Sequence, residues 1–185
     1  MHGLVLDSAA MEMHLVLCTL SPKRLAQVKS EPEMVEDIVE AEPGEIPGWA
    51  DLGSCWDALS LMLGGESRGG AAEALFGRTG EAIGPKLSVG PARVLGADKV
   101  AAVAQSLPKD PEGFVKTRFK DLYGKQVHGG YGADVEAKGD SDWLKKRTQE
   151  TQRKQIADLT QGLNRLVALY QEAARNGHAM LIAII

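Results

Sequence analysis

The chain has 185 residues, 44% of them apolar and 25% charged, with a formal net charge of −4. That length suits one domain with a sizeable core. The weak acidic balance argues against general nucleic-acid binding, which shows a basic excess. No apolar run approaches the roughly 20 residues of a membrane-spanning helix, and no basic segment precedes the short apolar stretch at the start, so no signal peptide is expected.

Residues 1–10 read as an N-terminal extension, and 11–185 as a single domain. Met11 to Cys18 predicts a first strand. Ser21-Pro22 then starts a helix, because serine caps well and proline suits the first helical position. Pro32 begins a second helix, with Met34, Val35, Ile38 and Val39 on one face. Its other face is acidic. Between Glu31 and Glu45 stand seven carboxylates and no basic residue, with Glu33, Glu36, Asp37 and Glu40 at its heart. Cys55, Trp56, Leu59, Met62 and Leu63 mark a buried amphipathic helix closed by Gly64-Gly65. Residues 64–90 read as a mostly irregular excursion with one helical turn at 71–76.

Val89 to Leu95 predicts a turn into a short strand. A helix from Ala97 to Leu107 carries Val100, Val103, Ala104 and Leu107 as its stripe. Phe114, Val115, Phe119, Leu122 and Tyr123 mark another between Pro111 and Tyr123. Gly124 to Gly139 is a second glycine-rich loop. From about Asp140 to Arg175 the chain reads as one long helix. Ile156, Leu159, Leu163, Leu166, Val167, Tyr170 and Ala173 recur at three- and four-residue spacing, while Lys145 to Gln155 has no apolar residue and should face solvent. Asn176-Gly177 stops the helix, and His178 to Ile185 closes the chain as an apolar strand. The fold class is therefore α+β. A small, mostly antiparallel sheet near 11–18, 86–95 and 178–185 is covered by helices.

Three ordered motifs resemble the YfbM-like family of bacterial domains of unknown function (DUF1877). Trp56-Asp57-Ala58-Leu59 with Leu61-Met62-Leu63-Gly64 resembles its K-A-W-x-x-L-x-x-L-L-T-G helix. Gly90-Pro91-Ala92-Arg93-Val94-Leu95, then Val100, resembles its G-P-A-R-x-L-x-x-x-x-V segment. Leu166 to Leu181 resembles its closing helix and strand, and Met11-Glu12-Met13 its usual start. Two departures stand out. Cys55 replaces the alanine before the tryptophan, and Leu122 to Tyr131 lacks the family's Y-P-x-x-W element. The resemblance implies an α+β fold and carries no activity.

No catalytic set or cofactor signature is legible, and no cofactor is expected. Cys18 and Cys55 sit on apolar segments and read as buried free thiols. With His2, His14, His128 and His178 they have no zinc-ligand spacing, so no metal is expected. Gly124-x-x-x-x-Gly129-Gly130-Tyr131-Gly132 lacks the lysine and Ser/Thr of a phosphate loop. His128, an imidazole among glycines beside Tyr131, is the candidate base. Arg93 is a candidate carboxylate or phosphate binder, or a structural partner of Asp57 or the acidic helix. Lys145-Lys146-Arg147 with Arg153-Lys154 has no interleaved aromatics and reads as a solvated face rather than a nucleic-acid surface.

Three functional expectations follow. The first is a small cytoplasmic protein-binding module, in its most concrete form an immunity- or antitoxin-type inhibitor. It would meet a basic partner such as a toxin or effector through Glu33, Glu36, Asp37 and Glu40, with charge complementarity selecting the partner. The alternative is a small-ligand protein or enzyme with a pocket near Trp56, Asp57, Arg93, His128 and Tyr131. A homo-oligomer built on the exposed half of the last helix is a third, lesser option.

Overall fold

The computed structural model describes residues 13–65, 69–132 and 142–185. The extension 1–10, Met11-Glu12, residues 66–68 of the excursion and residues 133–139 of the second glycine-rich loop lie outside them. The architecture is α+β, as the apolar patterning predicts. Five strands form one sheet in the order β2-β1-β5-β4-β3, with every neighbouring pair antiparallel. They are β1 (Leu15–Leu20), β2 (Trp49–Asp51), β3 (Glu81–Lys86), β4 (Pro91–Leu95) and β5 (Ala179–Ile184).

The closing strand β5 lies at the centre, between β1 and β4. Both faces of the sheet are covered, which explains why β5 reads as an unbroken apolar run, and β1 as one interrupted only by Thr19, rather than as alternating ones. Leu15 and Leu17 of β1 join Met180 and Ile182 of β5 in the larger core. Val16, Cys18 and Leu20 join Ala179, Leu181 and Ala183 in the smaller core on the opposite face.

Helices α1 (Pro22–Ser30) and α2 (Met34–Val39) close the smaller core. Ser21 caps α1 by accepting the Arg24 N–H at 3.2 Å, with Pro22 at the first helical position. α2 buries Val35, Ile38 and Val39, and the Trp49 indole N–H donates to the Ile38 carbonyl at 3.0 Å. Beneath it, a Cβ on Gly84 would fall 2.8 Å from the Val35 side chain. Only glycine lets α2 approach β3 this closely.

The larger core is covered by α3 (Cys55–Met62), α4 (Glu73–Phe76), α5 (Ala97–Ser106), α6 (Pro111–Arg118) and α7 (Asp142–Arg175). α7 packs on α3, α5 and α6 and reaches both β1 and β5. It ends in a Schellman turn: Gly177 sits at φ 63°, its N–H bonds the Ala174 carbonyl at 3.3 Å, and the His178 N–H bonds that of Ala173 at 2.9 Å. This is the geometry that Asn176-Gly177 signals in the sequence.

Two strands fall where no strand is expected. β2 is three residues long, too short to show a period. β3 carries Gly84-Pro85 and a register shift between Ile83 and Lys86. Proline is tolerated there because β3 is an edge strand. The excursion 64–90, expected to be mostly irregular, carries a 3₁₀ turn at Gly70–Ala72 before α4 and β3. β1 also runs to Leu20, two residues beyond the expected end.

Candidate functional site

The acidic face is a row of carboxylates on a well-anchored helix. Glu33, Glu36, Asp37 and Glu40 are all exposed, as are Glu31, Glu42 and Glu45. Among the described residues none of the seven has a cation within ion-pairing distance. The nearby basic residue Lys29 pairs instead with Glu81, at 2.6 Å. Glu36 and Asp37 lie in the first turn of α2, where the helix dipole favours them, whereas Glu40 sits at the opposite end, where it does not.

The five residues of the expected pocket are distributed over neighbouring but separate surfaces. Trp56 is buried in the first turn of α3 and donates its indole N–H to the Met13 carbonyl at 3.1 Å. It meets Phe76 edge-on at 5.9 Å and stacks on the His128 ring at 5.9 Å and 26°. Asp57 accepts the backbone N–H of His128 at 2.9 Å. Trp56, Asp57 and His128 thus form one unit in which the loop is hung on the start of α3. His128 is exposed, and its contacts there are a ring stack and a backbone bond.

Arg93 is held away from this unit. On β4 it pairs across the sheet with Ile182 and donates Nη1 to the Gly80 carbonyl at 3.3 Å. It makes no ion pair with Asp57 or with α2. It lines a pocket of about 260 Å³ with Phe76, Arg78, Pro91, Ile182 and Ile184, and the Arg78 guanidinium lies 4.5 Å over the Phe76 ring.

Tyr131 turns the other way. Its hydroxyl donates to the Asp158 carboxylate of α7. Burial, together with that carboxylate, pushes the phenol above its ordinary range. The same loop is stitched to α7 by Gln155, which accepts the Gly132 N–H at 3.0 Å and donates to the Gly130 carbonyl at 3.3 Å. Tyr131, Asp158, Ser54, Cys55, Gly162 and Arg165 line a second pocket, of about 220 Å³. Its floor exists because residue 162 is glycine, since a Cβ there would stand 2.6 Å from the Cys55 sulfur.

Asp158, Gln155 and Arg165 escape a reading based on motifs. The available signal was Asp158, Gly162 and Arg165 at four- and seven-residue spacing, with a glycine inside an otherwise strong helix pattern. Burial keeps both cysteines in the thiol form near neutral pH, pushing Cys18 up to about 11 and Cys55 up to about 12. Cys55 donates its thiol to the Leu52 carbonyl at 2.9 Å. Among the described residues no group of three or more His, Cys, Asp and Glu is placed to hold a metal, and no helix is long and apolar enough to cross a membrane.

A family model described as "Domain of unknown function (DUF1877)" matches residues 11–183. The chain belongs to this family. The match spans the whole α+β domain, from before β1 into β5, in agreement with the three motifs around Trp56, Arg93 and the closing helix. The fold is also similar to a solved structure described as a protein of unknown function, YfbM, from Escherichia coli. The TM-score is 0.61 at 15% identity, over 93% of this chain and 99% of that one. At that identity the likeness within the family concerns the fold alone. No curated protein matches the chain.

Proposed function

We propose that this protein is a protein-binding module that meets a basic partner through the acidic face of α2, in its most concrete form an immunity- or antitoxin-type inhibitor acting in the cytoplasm. The observation that carries the reading is the uncompensated row of Glu33, Glu36, Asp37 and Glu40 on a helix fixed by Val35, Ile38 and the Trp49–Ile38 bond. Such a row raises the association rate with a positively charged surface and penalises acidic ones. A rigid backing lowers the ordering cost on binding. The absence of a legible catalytic set in the sequence, and the separation of Arg93 and of Tyr131 from the Asp57–His128 unit, favour this reading over the enzyme alternative.

The test is affinity capture from the native lysate, beside a variant carrying Glu33→Lys, Glu36→Lys, Asp37→Lys and Glu40→Lys. A stoichiometric basic partner that is lost with the variant, and weakened by moderate salt, supports the reading. A partner retained by the variant, or none in either sample, overturns it.

A further inference from the structure

The pocket between α3, α7 and the Tyr131 loop holds two opposite charges that do not meet. Asp158 and Arg165 stand seven positions apart on one face of α7 and both line it, which puts their Cα atoms about 10 Å apart along the helix axis. They form no ion pair with each other, and among the described residues neither has a charged partner elsewhere. Arg165 donates one N–H to the Asp51 carbonyl at 2.9 Å, leaving the rest of its guanidinium fork for a carboxylate. Asp158 uses one oxygen for Tyr131. Gly162 lies between them on the same face and lines the same pocket, with the helix backbone there packed close against Cys55.

The walls are preformed. Tyr131 is buried and tied to Asp158, Gln155 bonds the residues on both sides of it, and Leu52 and Cys55 close the back. The volume, about 220 Å³, lies below the roughly 300–1,000 Å³ of sites for drug-sized ligands. We infer that this pocket binds a small zwitterion, a free amino acid, with its ammonium group on Asp158 and its carboxylate on Arg165. The inference is independent of the acidic face of α2, on the opposite side of the sheet.

The test is a titration followed by amide chemical shifts, with free L-amino acids and 4-aminobutanoate as probes, up to millimolar concentration. The N-acetyl and carboxamide derivatives of the same amino acids serve as controls. Saturable shifts centred on residues 128–132 and 158–165 are expected. Asp158→Asn, which keeps an acceptor for Tyr131, and Arg165→Gln should each weaken binding about tenfold or more, since each removes a charge-assisted contact. A preference for 4-aminobutanoate over the α-amino acids would indicate a zwitterion with well-separated charges. A preference for the α-amino acids would indicate a compact one. The inference is overturned by no saturable shift with any probe, by binding that survives both substitutions, or by derivatives lacking one charge that bind as tightly as the free amino acids.

Discussion

The Asp57 carboxylate accepts the backbone N–H of His128 at 2.9 Å across 71 positions of sequence. One carboxylate in the first turn of α3 therefore serves the helix dipole and anchors a distant loop. Asp57→Ala should destabilise the fold by about 1–2 kcal/mol, the loss of a charge-assisted bond and of that dipole term. Asp57→Asn keeps an acceptor and should cost about half as much. His128→Ala keeps the backbone N–H and loses only the stack on Trp56, below about 1 kcal/mol. Urea denaturation of the three variants gives the ranking; a larger loss for His128→Ala than for Asp57→Ala would show that the ring holds the loop.

That contact marks how far the sequence reaches. Trp56, Asp57 and His128 stand out by residue type, and the structure does join them. Nothing in their spacing says that His128 contributes its backbone as well as its ring. The long helix and the closing strand were legible because their apolar periods are strong and Gly177 ends one before the other. β2 and β3 were not, because three residues show no period and Gly84-Pro85 interrupts the other run. The pocket on α7 was hidden for a different reason. Its charged residues lie on the polar face of a helix, where Asp158 and Arg165 look like any solvated pair until the 128–132 loop folds against them.

Gly162 sits where α7 crosses α3, and a Cβ would fall 2.6 Å from the Cys55 sulfur. Gly162→Ala gains about 1 kcal/mol of helix propensity but overpacks a buried contact, at a cost of about 1–3 kcal/mol. A net loss of stability is expected. In a Cys55→Ala background the clash is gone and the same substitution should stabilise. A double-mutant cycle measures the difference, and a stabilising Gly162→Ala in the parent chain would refute the packing account.

Burial raises both thiols from 9.0, Cys18 to about 11 and Cys55 to about 12. Above roughly pH 9 the unfolded chain releases protons that the folded chain keeps, so it binds fewer and stability must fall as pH rises. The loss begins near the unfolded value and continues to about 11–12. Each thiol adds at most about 1.4 kcal/mol per pH unit. The tyrosines Tyr131 and Tyr170, also shifted up by burial, add with the same sign at higher pH. Denaturation midpoints between pH 8 and 11, measured on the parent and on a Cys18→Ala, Cys55→Ala chain, should show a flatter decline in the variant. Equal slopes would place the alkaline sensitivity elsewhere.

Glu73 is the one buried carboxylate among the described residues, 3% exposed, and it organises the turn before β3. Its two oxygens accept the Gly69 N–H at 3.1 Å, the Thr79 N–H at 2.9 Å and the Thr79 hydroxyl at 3.2 Å. Three donors converge on one carboxyl group, which ties together Gly69 and Thr79 on either side of α4. Removing the acceptor leaves those donors unpaired, so Glu73→Ala should cost about 2–4 kcal/mol. Glu73→Gln turns an NH₂ group toward a donor and should cost nearly as much. Thr79→Val removes only the hydroxyl, about 1 kcal/mol. Amide hydrogen exchange at Gly69 and Thr79 should accelerate in both Glu73 variants, because the opening they allow is local. If Glu73→Ala stays within about 0.5 kcal/mol of the parent, the turn is held by its backbone rather than by this side chain.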